Sequence, residues 1–141
     1  MNSTDANEQL VRRFIDEIFV AGNPDAVGEL AAPNFVSHTW GFEEDGREKL
    51  RATTQRMQDT LRDVRFDIED VVSDGDRVVV RLTSSATPIG DFMGVAAAGK
   101  AYRIGEMHWF RIADGRIAEH WHQHDALGLM RQLGGVNESP S

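Results

Sequence analysis

The 141-residue chain contains no cysteine, which excludes disulfides, a thiol nucleophile and cysteine metal sites. It has no window near 18 consecutive apolar residues, which argues against a membrane-spanning helix. The opening MNSTDANEQL lacks a basic stretch followed by an apolar one, so no secretory signal is expected and a cytoplasmic protein is. Positive charge is short as well: 15 Lys and Arg face 23 Asp and Glu, for a net charge of -8. That balance disfavours a phosphate-binding surface and therefore a nucleic-acid partner. Repeats and low-complexity blocks are absent. What remains is 40% hydrophobic and 27% charged, the balance of a soluble globular protein. A single domain over residues 1–141 is expected, with an ordered core at about 7–134, short flexible tails and room for a modest pocket.

The first half reads as helices. Leu10, Val11, Phe14, Ile15, Ile18 and Phe19 form a wide apolar stripe, predicting a helix over residues 7–20 that Gly22 stops. Asn23-Pro24 is an N-cap followed by proline at the first helical position. It opens a short helix that buries Ala26, Val27 and Leu30 and ends at Pro33. Phe35 to His38 is a short extended piece before Thr39 and Trp40. Gly46 to Leu61 is a third helix.

From Val64 the period drops to two. Val64, Phe66, Ile68 and Asp70 alternate with Arg65, Asp67, Glu69 and Val71. Asp74-Gly75 turns the chain, and Arg77 to Thr87 returns. Pro88 to Gly99 is a glycine- and alanine-rich connection placed at a pocket mouth. A second hairpin follows, turning at Ala113-Asp114-Gly115. Its first strand places Tyr102, Ile104, Glu106, His108, Phe110 and Ile112 on one face. Its return strand places Ala118, His120, His122 and His124 on one face and Ile117, Glu119 and Trp121 on the other. Asp125 caps a closing helix over 126–133 that Gly134 ends. Helices gathered before long antiparallel strands predict an α+β fold, with the helices on one face of a curved sheet.

Four of the five histidines lie on this last hairpin, with Glu106 among them. His122 is the leading candidate for a general base, because neutral imidazole is available near pH 7. A histidine bonded to its neighbours in a core or interface is the bland alternative, and the same pair of readings applies to His108. Glu106 shares a face with His108. If it approaches His122, the two make a base with an orienting group. His38, Trp40, Phe14, Tyr102, Phe110 and His120 are candidate substrate contacts, with Phe14, Ile18 and Leu61 as core or pocket wall. Trp109, Trp121 and Ile117 are expected to face a subunit interface. His120-Trp121-His122 also places two imidazoles ~7 Å apart on one strand face, which with His108 or Glu106 would suit a metal. No metal is the preferred reading.

The hairpin and its flanks resemble the SnoaL-like polyketide and ester cyclase branch of the nuclear transport factor 2-like superfamily. The resemblance is carried by Phe92-Met93-Gly94, Gly99-Lys100, Gly105-Glu106-Met107-His108, Phe110 to Ile117, Glu119-His120-Trp121 and Asp125 to Gly134, and the element order fits from about residue 7 to 134. It implies a cone-shaped fold enclosing a pocket between helices and sheet. It also implies homodimers or larger homo-oligomers through the outer sheet face, and chemistry without metal or organic cofactor. His108 matches the pocket histidine of the cyclases. His122 stands where they carry an acid/base carboxylate, and Glu106 where they carry a supporting glutamine. The expectation is a cyclase, isomerase or hydrolase acting on a carbonyl-bearing, largely apolar small molecule. A ligand-binding protein of the same fold without turnover is the rival.

Overall fold

The computed structural model describes residues 3–39, 41 and 43–136. Helix α1, Ser3–Phe14, starts earlier than the apolar stripe alone predicts. It continues into a π-helical turn, Ile15–Val20, in which the Ala21 N–H reaches Asp16 O at 2.9 Å. The wider turn keeps both adjacent pairs, Phe14-Ile15 and Ile18-Phe19, in the core. Asn23 accepts the Asp25 N–H ahead of a single turn, Pro24–Ala26, that runs into α2, Val27–Leu30.

Strand β1 is Ala31–Ser37, so the chain is already extended at Pro33, where the sequence alone suggests the end of a helix. Proline is tolerated there because β1 is an edge strand, paired on one side only and irregular between Ala31 and Val36. Helix α3, Gly46–Thr60, lies against β1. A Cβ on Gly46 would sit 2.0 Å from Phe35 O, so only glycine allows that approach. Strands β2 (Leu61–Asp74), β3 (Arg77–Pro88), β4 (Tyr102–Ala113) and β5 (Arg116–His124) follow, and α4 (Ala126–Leu133) closes the chain. Asp125 accepts the Gly128 N–H as the cap of α4, and Gly134 ends that helix at φ 83.

The sheet order is β1-β5-β4-β3-β2, with β1 parallel to β5 and every other pair antiparallel. The architecture is α+β: helices on one face of a five-stranded mixed sheet that curls without closing. Val78, Val80 and Leu82 of β3 alternate inward and meet Val11, Phe14, Ile15 and Ile18. A smaller cluster of Ala97, Ile104, Leu129 and Leu133 closes the end under α4.

Two irregularities move residues from their expected faces. A bulge between Ile68 and Asp70 ends the simple alternation of β2, so Val71 packs with Phe66 and Ile68 against the core while Asp70 is exposed. A second, between Arg111 and Ile112, pairs Ile112 with Ile117. Ile117 is consequently fully buried in the core rather than presented to a subunit interface. No described helix is long and apolar enough to cross a membrane.

Candidate active site

The β4–β5 register decides what meets. Glu106 opposes His124, His108 opposes His122, and Phe110 opposes His120. Directly opposed residues share a sheet face, so Glu106 and four imidazoles converge on the concave side. The rings stack in the order His120, His108, His122, His124, with centroids 5.1, 4.2 and 4.9 Å apart. Phe19, delivered by the π-helical turn, lies 5.3 Å from the His108 ring.

Glu106 Oε1 lies 2.9 Å from His108 Nε2 and 2.8 Å from His122 Nε2. Its Oε2 accepts the Ser84 hydroxyl from β3. Two imidazole nitrogens this close to one carboxylate oxygen each carry their hydrogen there. Behind this centre, His108 Nδ1 lies 2.9 Å from His120 Nε2, and His120 Nδ1 lies 3.0 Å from Ser37 Oγ on β1. The His122 backbone N–H is held by the Thr39 hydroxyl at 2.6 Å.

The electrostatics follow from burial and these bonds. Burial opposes a charge on Glu106, but hydrogen bonds from His108, His122 and Ser84 outweigh it and hold its carboxyl well below the usual range. Burial brings His108 down to about 4 against the opposing pull of Glu106. Burial, with His108 and His122 nearby, pushes His120 well below its ordinary value. His124 is lowered by burial and then by His122. The resulting centre at neutral pH is one carboxylate and neutral His108 and His120, in surroundings dry enough for hydrogen bonds to be strong.

A cavity of about 480 Å³ opens onto this centre, between α3, the π-helical turn and the sheet, within the size of small-molecule sites. Glu106, His108 and His122 line it together with His124, Tyr102, Ile104, Phe19, Phe66, Met57, Leu61, Leu129 and the Asp91-Phe92-Met93 segment. Tyr102 stacks on Phe92 at 6.2 Å, and burial with Glu106 nearby pushes its hydroxyl up to about 12. The lining is mostly apolar, with one set of polar groups centred on Glu106 and a second set, Thr53, Arg56 and Thr60, supplied by α3.

The structure therefore brings together Glu106, His108, His122 and Tyr102. The other expected contacts fall elsewhere. Phe14 and Phe110 are fully buried against each other in the main core, rings 5.5 Å apart. His120 is fully buried behind His108 and does not reach the cavity lining. His38 sits on the convex side, bonded to Glu119 at 2.7 Å and stacked on Trp121 at 4.8 Å. Trp40 lies outside the described residues. Sequence reading did not single out Phe19, Phe66, His124 or Ser84 for the site. For His124 the signal was available, since it shares the parity of His120 and His122. For Ser84 there was none, because its role depends on the β3–β4 register.

Glu106, His108 and His122 present ligand atoms within 4.8 Å of one another, the donor set a divalent cation takes. The trio is not the one the His120-Trp121-His122 spacing suggests, since His120 faces His108 instead.

A model of the SnoaL-like polyketide cyclase family matches residues 9–133. The chain belongs to that family. Among curated relatives it is 34% identical over 132 residues to aklanonic acid methyl ester cyclase DauD of Streptomyces sp. strain C5, covering 89% of this chain and 80% of that protein. It is 28% identical over 131 residues to aklanonic acid methyl ester cyclase DnrD of Streptomyces peucetius, covering 89% of this chain and 88% of that one. The structure of TsrD from Streptomyces laurentii superposes with a TM-score of 0.86 at 31% identity, over 96% of this chain and all of that one. Membership of the SnoaL-like family accounts for the curled sheet over a pocket, and it identifies a cyclase-type small-molecule enzyme as the relevant class.

Proposed function

We propose that the cavity is the active site of a cofactor-independent cyclase that closes a ring in a carbonyl-bearing, largely apolar small molecule by general acid/base catalysis. The observation carrying this reading is the single oxygen, Glu106 Oε1, that receives both His108 Nε2 and His122 Nε2 at the cavity wall. With its hydrogen held on Nε2, His122 has its basic lone pair on Nδ1, which is buried. The cavity wall must therefore open around that atom as substrate binds before it can take a proton. Glu106 orients the ring and stabilises the imidazolium formed when it takes a proton alpha to a carbonyl. The carbanion then attacks a second carbonyl within the same molecule, and the proton returns from His122 to the new alkoxide. Atoms and charge balance, and the product is an isomer of the substrate. The names of the curated relatives make aklanonic acid methyl ester a rational first probe.

The test is to incubate the protein with aklanonic acid methyl ester and follow a ring-closed product of unchanged mass. Wild type is expected to turn over. His122→Gln should lose roughly 10²- to 10⁴-fold in kcat while binding stays within about tenfold, ~1.4 kcal/mol. Binding of equal strength in both proteins, with no turnover in either, would instead support a ligand-binding protein. A metal-dependent reading draws on the three convergent donors and predicts that dialysis against a chelator abolishes turnover; the cofactor-independent reading predicts no loss.

The same proposal takes the protein as one cytoplasmic domain that self-associates through the convex sheet face. Met107 and Trp109, 54% and 44% exposed on adjacent outward positions of β4, are apolar groups suited to such burial. Trp109→Glu should lower the mass measured by sedimentation.

A further inference from the structure

Ser37 and His120 are fully buried, and neither lines the cavity, yet both stand in line with the reactive centre. We propose that they are positioning residues that lock His108 as its Nε2–H tautomer, so that His108 serves as a fixed donor to Glu106 while His122 alone exchanges a proton with substrate. The last clause rests on the acid/base reading above; the lock itself does not.

One hydrogen-bonded chain links Glu106, His108, His120 and Ser37. Glu106 gathers His108, His122 and Ser84 on its two oxygens, an arrangement suited to an acceptor. His108 must then carry hydrogen on Nε2, which leaves Nδ1 as a lone pair facing His120 Nε2 at 2.9 Å. Two lone pairs cannot face each other at that distance, so His120 carries its own hydrogen on Nε2. Its Nδ1 in turn accepts from the Ser37 hydroxyl at 3.0 Å. The Ser37 hydroxyl can donate or accept, and here it donates because His120 Nδ1 is bare, so the polarity set by the Glu106 carboxylate runs to the inner end of the chain.

The reverse polarity fails at both ends. Hydrogen on His108 Nδ1 would leave its Nε2 lone pair against a carboxylate oxygen at 2.9 Å. It would also require the Ser37 hydrogen to find another acceptor in a fully buried position. Phe19 and Phe110, 5.3 and 6.0 Å from the His108 ring, keep water from resolving either conflict. A lone histidine exchanges its hydrogen between nitrogens readily; this one is held.

The deciding experiment is a long-range proton–nitrogen correlation spectrum of the folded protein with nitrogen-15 histidine, at pH 7. The expected result is a single set of signals with hydrogen on Nε2 and a bare Nδ1 for both His108 and His120. Ser37→Ala, which leaves His120 Nδ1 without its donor, should shift and broaden the His120 nitrogen signals and, through the shared bond, those of His108. Ser37→Thr, which keeps the hydroxyl, should restore the wild-type pattern. With aklanonic acid methyl ester as probe, Ser37→Ala should lower kcat about tenfold with KM unchanged, and Ser37→Thr should recover it. Hydrogen on His108 Nδ1 in the wild type would overturn the proposal. So would an unaltered spectrum and kcat in Ser37→Ala. If Ser37→Ala does not fold, the wild-type spectrum decides alone. The expected spectrum in a protein that does not turn over the probe leaves the lock standing and removes only the acid/base reading.

Discussion

The two faces of the β4–β5 hairpin carry the same pair of residue types in opposite settings. On the concave face Glu106 holds His108 and His122 at 2.9 and 2.8 Å, its side chain only 9% exposed. On the convex face Glu119 holds His38 at 2.7 Å, with Arg111 as a further partner and the side chains 25% and 37% exposed. The distances are alike, so distance cannot separate them. Burial does. Inside, one charge is shared among groups largely withdrawn from water, and the orientation of every hydrogen matters. Outside, solvent and the Arg111 guanidinium screen the pair, and such bridges contribute little.

Several substitutions would sharpen or break that contrast. The largest effect is expected for Glu106→Gln, which puts an amide where two imidazole N–H groups converge. Turnover of aklanonic acid methyl ester should fall by roughly 10³-fold or more, a deeper loss than for His108→Gln. Equal activity in Glu106→Gln and wild type would end the acid/base assignment. Glu119→Gln should leave kcat within about twofold.

Acid stability comes next in size. Glu106 titrates below its ordinary value in the folded state, so its contribution is present at neutral pH and is lost as pH falls through the carboxylate range. His108, brought down to about 4, refuses a proton that the unfolded chain accepts near 6.5. Stability should therefore fall as pH drops from 6.5 towards 4, the unfolded state binding more protons throughout that window. Thermal melts at steps of pH would show the decline, and His108→Gln should make it shallower between 6.5 and 4. An unchanged slope in that variant would remove His108 as its source. The smallest effect belongs to the outer pair: His38→Gln should cost less than about 1 kcal/mol at pH 7, by denaturant unfolding. A loss of 2 kcal/mol or more would show that the two faces are less different than their exposure implies.

The hairpin was the most legible part of the molecule. Asp114-Gly115 fixes its turn, and alternation within each strand separates Glu106 and His108 from Met107 and Trp109, and His122 from Trp121. That His122 rather than Trp121 faces His108 depends on the bulge beyond the Ile112–Ile117 pair. Period alone also found α1, α3 and the β2–β3 pair. What it missed depends on breaks in period. The bulges at Ile68–Asp70 and Arg111–Ile112 exchange inner and outer residues, which is why Ile117 is core. The π-helical turn that sets Phe19 over His108 satisfies the same apolar stripe as an ordinary helix, so the stripe cannot announce it. Phe14 and Phe110 were legible as inward-facing, but inward covers both core and cavity, and only three-dimensional packing separates the two. Ser37 and Ser84 carry no local signal. They act on partners 83 and 22 residues away, and a serine becomes significant only when something is placed opposite it.

The parallel edge strand has a consequence for how the protein matures. β1 ends at Ser37, and its pairing partner β5 begins at Arg116. Contacts across such a separation form late, because the intervening loop must be closed before they reward the chain. A partly folded molecule can therefore possess the whole β4–β5 hairpin, with Glu106, His108 and His122 already opposed, and still lack the strand that brings Ser37 to His120. During synthesis and refolding, the geometry around Glu106 should precede catalytic competence. The last event in completing the site would be the docking of a seven-residue strand that contributes no residue to the cavity lining.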